Sequence, residues 1–289
     1  MTDSGAKMTS SADLRLYMIT NDPGIAQYIC QVDDVWPFVD LECIGKQQRQ
    51  GHVDSWKSHH TPNDVTRVRE AASAGRILVR INPLHEGSED EIDDVLARGA
   101  DAIMLPMFHD LDTLSRFHDL LRSRALSVPL FETVGAINCL ADAVEHQPID
   151  ALHIGLNDLS LELGLTFMFE CLSKGFLEAP AAAARAFGIP FGIGGVARIG
   201  SSGLPAEYVL GEHVRLGSSA AILSRSFHGA AETKAELIKN VNFASEVAKL
   251  CDTYRGFKMA PSGDLEMNRK RVIERTDEVS AVIAASRQT

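Results

Sequence analysis

No run of about 18 apolar residues occurs anywhere in the sequence, which excludes a membrane-spanning helix. The five cysteines are odd in number, and none of them forms a Cys-x-x-Cys pair. A zinc ribbon and a disulfide framework are both excluded, and reduced thiols in a cytoplasmic protein are expected. No Gly-x-Gly-x-x-Gly follows the first apolar strand, so an open dinucleotide-binding sheet lacks its fingerprint. Basic charge is scarce: 28 Lys+Arg stand against 39 Asp+Glu, a formal charge of −11. Residues 232–289 hold 10 Lys+Arg against 9 Asp+Glu, so the first 231 residues carry about −12. The basic cluster Arg269-Lys270-Arg271 falls in a helical pattern and reads as a solvated face. A phosphate-backbone binder needs a basic surface, so neither nucleic acid nor a membrane is expected as a partner. Residues 1–13 have no apolar core and read as a disordered polar end rather than a signal peptide.

The 289 residues, 45% of them apolar, are enough to bury a large core. Short apolar runs recur at 14–20, 37–42, 76–82, 101–107, 128–133, 151–158, 190–195 and 218–227. They read as strands with helical stretches between them. Asp22-Pro23, Thr61-Pro62 and Ser88 with Glu91 are helix-start signals, and Gly75, Gly99 and Gly188 punctuate helix ends. Strands that are continuously apolar rather than alternating belong in a parallel sheet covered on both faces. Eight such units predict a (β/α)8 barrel, an α/β fold, over residues 14–231. Residues 43–60 form a long polar connection carrying Lys46, Arg49, Trp56, His59 and His60. Residues 232–289 form a helical extension with two amphipathic stretches, 232–251 and 265–286, linked by 256–263. One stripe runs through Leu237, Val241, Ala244, Ala248 and Cys251; the other through Leu265, Val272, Val279 and Ile283. One stretch suffices to close the outer ring, so the other is expected to pack on a second subunit or over its own barrel.

Barrel enzymes carry their chemistry at the C-terminal ends of the strands. The polar residues at those places are Asn21, Asp40 and Glu42, Arg80 and Asn82, Glu132, Asp158, and the pair Gly194-Gly195. Glu132 and Asp158 end neighbouring strands, an arrangement that suits a hard divalent ion completed by water and substrate oxygens; each could instead cap the helix that follows. The Gly/Ser-rich stretch 191–227, with Arg198, Arg215 and Arg225, fits either a phosphate or carboxylate group or tight strand–helix packing.

The segment 130–164, LFETVGAINCLADAVEHQPIDALHIGLNDLSLELG, resembles the HpcH/HpaI aldolase and citrate lyase β-subunit family, within the phosphoenolpyruvate/pyruvate-binding barrels. Its matching motifs are Glu132, the run Gly155-Leu156-Asn157-Asp158-Leu159-Ser160, Arg80 in RILVRIN, Gly99-Ala100 with Pro106-Met107, and Asp40-Leu41-Glu42. The match is good over about residues 14–165 and loose beyond. The resemblance implies a carbon–carbon lyase: a metal-dependent, class II-type aldolase working through the pyruvate-type enolate of a 2-oxo acid. It implies a divalent metal, Mg2+ or Mn2+, on Glu132 and Asp158 and catalytic roles for Arg80, Asp40 and Glu42. Gly155, Leu156, Asn157, Arg80, Gly194 and Gly195 would bind a small-molecule 2-oxo acid, which reacts with an aldehyde. Homo-oligomers from dimer to hexamer are also implied. Where many such aldolases follow Asp-x-Glu with an acid/base His, this sequence has Cys43, a poor substitute as a neutral thiol. His59, His60 or a metal-activated water would then supply the base. The alternatives are an acyl-CoA lyase of the citrate or malyl type and a catalytically silent barrel serving as a binding subunit.

Overall fold

The computed structural model describes residues 13–45, 60–201 and 203–287. Lys46, Arg49, Trp56 and His59 of the long connection lie outside those residues, as does the N-terminal stretch 1–12.

The strands are β1 (Arg15–Ile19), β2 (Val35–Asp40), β3 (Leu78–Arg80), β4 (Ala102–Met104), β5 (Leu126–Ser127), β6 (Leu130–Phe131), β7 (Leu152–Ile154), β8 (Phe191–Val196) and β9 (Ala220–Leu223). They pair in parallel in the order β5-β4-β3-β2-β1-β9-β8-β7-β6. Nine segments make eight staves. Pro129 has no N–H to give to a ladder, and it splits the fifth stave into β5 and β6. The stave still bonds on both edges. Val128 and Leu130 donate to Ile103 O and Leu105 O, while Pro129 O accepts from His153 N at 3.0 Å, and the ring closes there. The fold is therefore the expected (β/α)8 barrel with added C-terminal helices.

Helices α1 (Pro23–Ile29), α2 (Pro62–Ala71), α3 (Ser88–Ala97), α4 (Leu111–Leu121), α5 (Val134–His146), α6 (Leu156–Glu162), α7 (Glu170–Ser173), α8 (Glu178–Ala186), α9 (Ala206–Leu216) and α10 (Arg225–His228) follow their strands. Asp22 caps α1 by accepting the Ile25 N–H at 2.6 Å, and Thr61 with Asp64 forms a capping box on α2. The box expected from Ser88 with Glu91 does not form. Ser88 is the first helical residue, capped by Gly87, and its hydroxyl accepts from His85 N. Glu91 turns instead to Asn82 and His85. The strand expected over 151–158 ends at Ile154, so Asp158 sits in the first turn of α6 rather than on a strand.

Side chains of alternate residues fill the barrel, as the pleat requires. Tyr17, Trp36, Phe38, Leu78, Met104, Val128 and Leu130 pack together there. At the N-terminal end, the Arg15 and Arg76 guanidinium groups lie 4.4 Å and 5.5 Å from the Trp36 ring centre. One pleat further along β2, β3 and β6 the apolar filling gives way to Asp40, Arg80 and Glu132.

The extension begins with α11 (Lys234–Asn240) and α12 (Phe243–Met259), where one helix was expected over 232–251. Helix α12 runs through Gly256, and Ala260-Pro261 makes the break before α13 (Ser262–Ser286). The α12 stripe is Phe243, Val247, Leu250 and Tyr254 rather than Ala244, Ala248 and Cys251. Helix α13 lies against α9 and α7 of the same chain, with Val272, Asn268 and Thr276 buried.

Candidate active site

Three acidic side chains, Asp40, Glu42 and Glu132, gather around Arg80 at the C-terminal mouth of the barrel, and a fourth, Asp158, stands near Glu132. Asp40 ends β2 and Arg80 ends β3, neighbours in register. The guanidinium meets the Asp40 carboxylate as a fork, Nε to Oδ1 at 2.8 Å and a terminal nitrogen to Oδ2 at 2.7 Å. The same terminal nitrogen lies 3.4 Å from Glu42 Oε2. Asp40, Glu42 and Glu132 are 2%, 4% and 3% exposed, so this charge is almost wholly removed from water. Burial works against the charged guanidinium, but the Asp40, Glu42 and Glu132 carboxylates outweigh it and hold Arg80 well above its ordinary pKa.

Glu132 follows β6 directly. Burial pushes its carboxyl up to about 8, and the nearby Asp158 and Glu42 charges push the same way, against Arg80 and a hydrogen bond from Met107. That bond runs from the Met107 N–H to Glu132 Oε1 at 3.2 Å. Met107 makes it from a left-handed backbone, φ 54°, a conformation that costs a non-glycine residue of order 1–3 kcal/mol. Glycine at 155 makes room for the carboxylate: a Cβ there would lie 2.9 Å from Glu132 Oε2. Asp158 approaches from the first turn of α6. Among the described residues no group of three or more His, Cys, Asp or Glu gathers as a metal cluster. Asp158 stands near enough to Glu132 for its charge to raise the Glu132 pKa.

His60 Nδ1 accepts the Asp40 N–H at 3.0 Å, so the neutral ring carries its proton on Nε2. His59 lies outside the described residues. The Cys43 N–H donates to Asn82 Oδ1 at 2.9 Å, and its exposed thiol lies 3.4 Å from the same oxygen. Gly155 gives its N–H to Phe131 O and is not open to a substrate carboxylate as expected, while Leu156 and Asn157 begin α6. Gly194 and Gly195 sit on the mouth side of β8 where its register with β9 shifts. Arg215 does not join them: it pairs with Glu178 and the buried Glu212, on the helix layer.

Two roles were missed in the sequence. Met107 acts through its backbone, which no side-chain motif reveals. His153 sits mid-strand in β7, 1% exposed, and its Nε2 lies 3.0 Å from Gly194 O. A lone histidine in the apolar run Ala151-Leu152-His153-Ile154, two residues before the Gly155 motif, was the available signal.

No protein-family model matches the sequence, and no curated protein matches it. Solved structures do. A citrate lyase β subunit from M. tuberculosis, complexed with oxaloacetate and magnesium, aligns with 86% of this chain and 98% of its own at 15% identity, TM-score 0.58. Protein CitE from Mycobacterium tuberculosis, in complex with magnesium and pyruvate, aligns with 91% of this chain and 99% of its own at 14% identity, TM-score 0.56. An HpcH/HpaI aldolase from Desulfitobacterium hafniense aligns with 87% and 95% at 15% identity, TM-score 0.53. What is shared at such identities is the architecture: this chain has the barrel fold of the HpcH/HpaI aldolases and citrate lyase β subunits.

Proposed function

We propose that the protein is a metal-dependent carbon–carbon lyase of the class II aldolase type, working through the pyruvate-type enolate of a 2-oxo acid with an aldehyde as second substrate. The observation that carries this reading is the acidic cup. Asp40, Glu42 and Glu132 act on Arg80, Asp158 stands near Glu132, and at neutral pH Glu132 keeps a proton chiefly because burial penalises its charged form, with the Asp158 and Glu42 charges adding to that effect. A hard cation on the carboxylate would offset that burial cost in place of the proton. The donor set fits one: Glu132 and Asp158 offer carboxylate oxygens from adjoining elements, and Mg2+ or Mn2+ is the suited ion. When bound, such an ion supplies Lewis-acid polarisation of a keto oxygen. The rest falls to the chain itself. Asp40 fixes the Arg80 fork, and Glu42 stands beside it, so a guanidinium of set orientation faces the place where negative charge develops. Leu156 and Asn157 present backbone N–H groups to the substrate carboxylate, and Gly194-Gly195 line the opposite side. His60, with its proton on Nε2, is the acid/base we assign in place of the histidine that Cys43 replaces.

The test is deuterium exchange into the methyl group of pyruvate, with and without Mg2+ or Mn2+. Metal-dependent exchange is expected, and Asp158→Asn should abolish it while the protein stays folded. Exchange that ignores added metal and survives in Asp158→Asn would end this reading. The likeness to a citrate lyase β subunit with oxaloacetate favours an acyl-CoA lyase as second reading. Enolisation with no turnover of any aldehyde would favour it.

A further inference from the structure

We propose that His153 is a positioning residue: its Nε2–H, donated to Gly194 O, sets the Gly194-Gly195 turn in the form that receives the substrate. The inference rests on the lyase reading for what the turn binds, but the hydrogen bond stands on the geometry alone. The His153 ring lies inside the barrel, 1% exposed, edge-on to Tyr17 with ring centres 6.2 Å apart. A carbonyl oxygen only accepts, so the 3.0 Å contact between Nε2 and Gly194 O requires the proton on Nε2. The other nitrogen agrees. Among the described residues the buried Nδ1 has no hydrogen-bond partner, and it faces Gly192, where a Cβ would come within 2.3 Å of it. A proton on Nδ1 would be buried without an acceptor, at the cost of an unmade hydrogen bond.

The held carbonyl belongs to an unusual stretch of strand. Gly194 has φ 47°, the left-handed region open to glycine. There β8 slips its register against β9, with pairing at Gly192 and again at Gly195. A bulge of this kind re-aims the backbone beside a site. A Cβ at Gly194 would also strike Leu156 Cδ1 at 2.8 Å, so the turn packs on the first helical residue after β7. One side chain thus ties β7, which leads into the Asp158 turn, to the bulged end of β8. Burial, aided by the Arg80 charge, holds the His153 pKa down to about 4. The ring therefore stays a neutral single donor throughout the working range.

Three substitutions test the assignment. His153→Gln places an amide N–H where Nε2 was, His153→Asn places one at the Nδ1 position, and His153→Phe keeps the ring without a donor. In the Mn2+-loaded protein, calorimetric binding of oxalate as a pyruvate enolate mimic should weaken about tenfold or more in Asn and Phe and recover in Gln. Manganese affinity measured alone should be unchanged in all three. Amide exchange at Gly194-Gly195 should speed up in Asn and Phe but not in Gln. Equal oxalate affinity and equal exchange across the set would overturn the role of His153. A parent protein that binds neither Mn2+ nor oxalate would instead sink the lyase reading, and the exchange series would still decide for or against the hydrogen bond.

Discussion

Arg80 shows how one side chain serves two ends. Its planar fork spends two donors on Asp40, and its charge still lowers Glu132 from where burial would put it. Lysine keeps the charge and loses the fork, so Arg80→Lys should leave Asp40 and Glu42 imperfectly paired in a nearly dry place. We expect turnover in the enolisation assay to fall by about tenfold or more, with a lower melting temperature as well. Unchanged turnover would make Arg80 a structural ion pair only. At this scale the sequence was informative wherever chemistry lies in the side chain at a strand end. Asp40, Glu42, Arg80 and Glu132 were legible because an acid or base closing an apolar run has few structural excuses. Asp158 was legible as a residue but not in its setting: the apolar run 151–156 continues past the point where Gly155 turns the chain into α6. His153 and Met107 were not legible, since their roles depend on what Gly192, Gly194 and Glu132 do across the barrel.

At the scale of elements, the C-terminal helix shows what the sequence left open. Of the stripe Leu265, Val272, Val279 and Ile283, Val272 is buried where α13 meets α9 and α7 of the same chain, while the other three stay half-buried. Hydrophobic periodicity locates a face but says nothing about which surface receives it. The docking is largely polar. Asn268 Nδ2 donates to Tyr208 O, Arg269 bonds Leu172 O and the buried Glu212, and Ser280 donates to Glu170 Oε1. Gly211 on α9 admits the helix, because a Cβ there would lie 2.3 Å from Asn268 Nδ2. Gly211→Leu should therefore cost about 1–3 kcal/mol of stability through overpacking and raise amide exchange along α13, leaving enolisation intact. Exchange that stays slow along α13 would show that the helix does not rest on this contact. Deleting 261–289 should lower thermal stability with the mass in light scattering unchanged; loss of a larger assembly would place the helix on a neighbouring subunit and support the homo-oligomer expected from the family resemblance.

For the whole molecule, the buried titratable groups dictate a pH profile that no surface charge count would suggest. The metal-free protein holds Glu132 at about 8 against an ordinary 4.5, so the folded state keeps a proton that the unfolded chain releases. That contribution is complete below pH 4.5 and is lost as pH rises toward 8. The histidines work in the opposite sense. Burial puts His153 at about 4 and His213 at about 3, from an ordinary 6.5, so the unfolded chain binds protons that the folded state refuses. Their contribution is complete above pH 6.5 and is lost as pH falls; His118 and His228, also lowered by burial, push the same way. Between 4.5 and 6.5 two strongly shifted histidines oppose one glutamate, and stability should rise with pH. Above 6.5 Glu132 acts alone, at up to about 1.4 kcal/mol per pH unit, or about 2 kcal/mol by pH 8. Chemical denaturation in EDTA should thus find maximum stability near pH 6.5. Saturating Mg2+ should reverse the alkaline fall, because an ion on the ionised Glu132 binds the folded state alone and binds it better as the proton leaves. Stability that keeps rising from 6.5 to 8 in EDTA would mean that Glu132 is already ionised without metal, and the acidic cup would lose its claim on a cation.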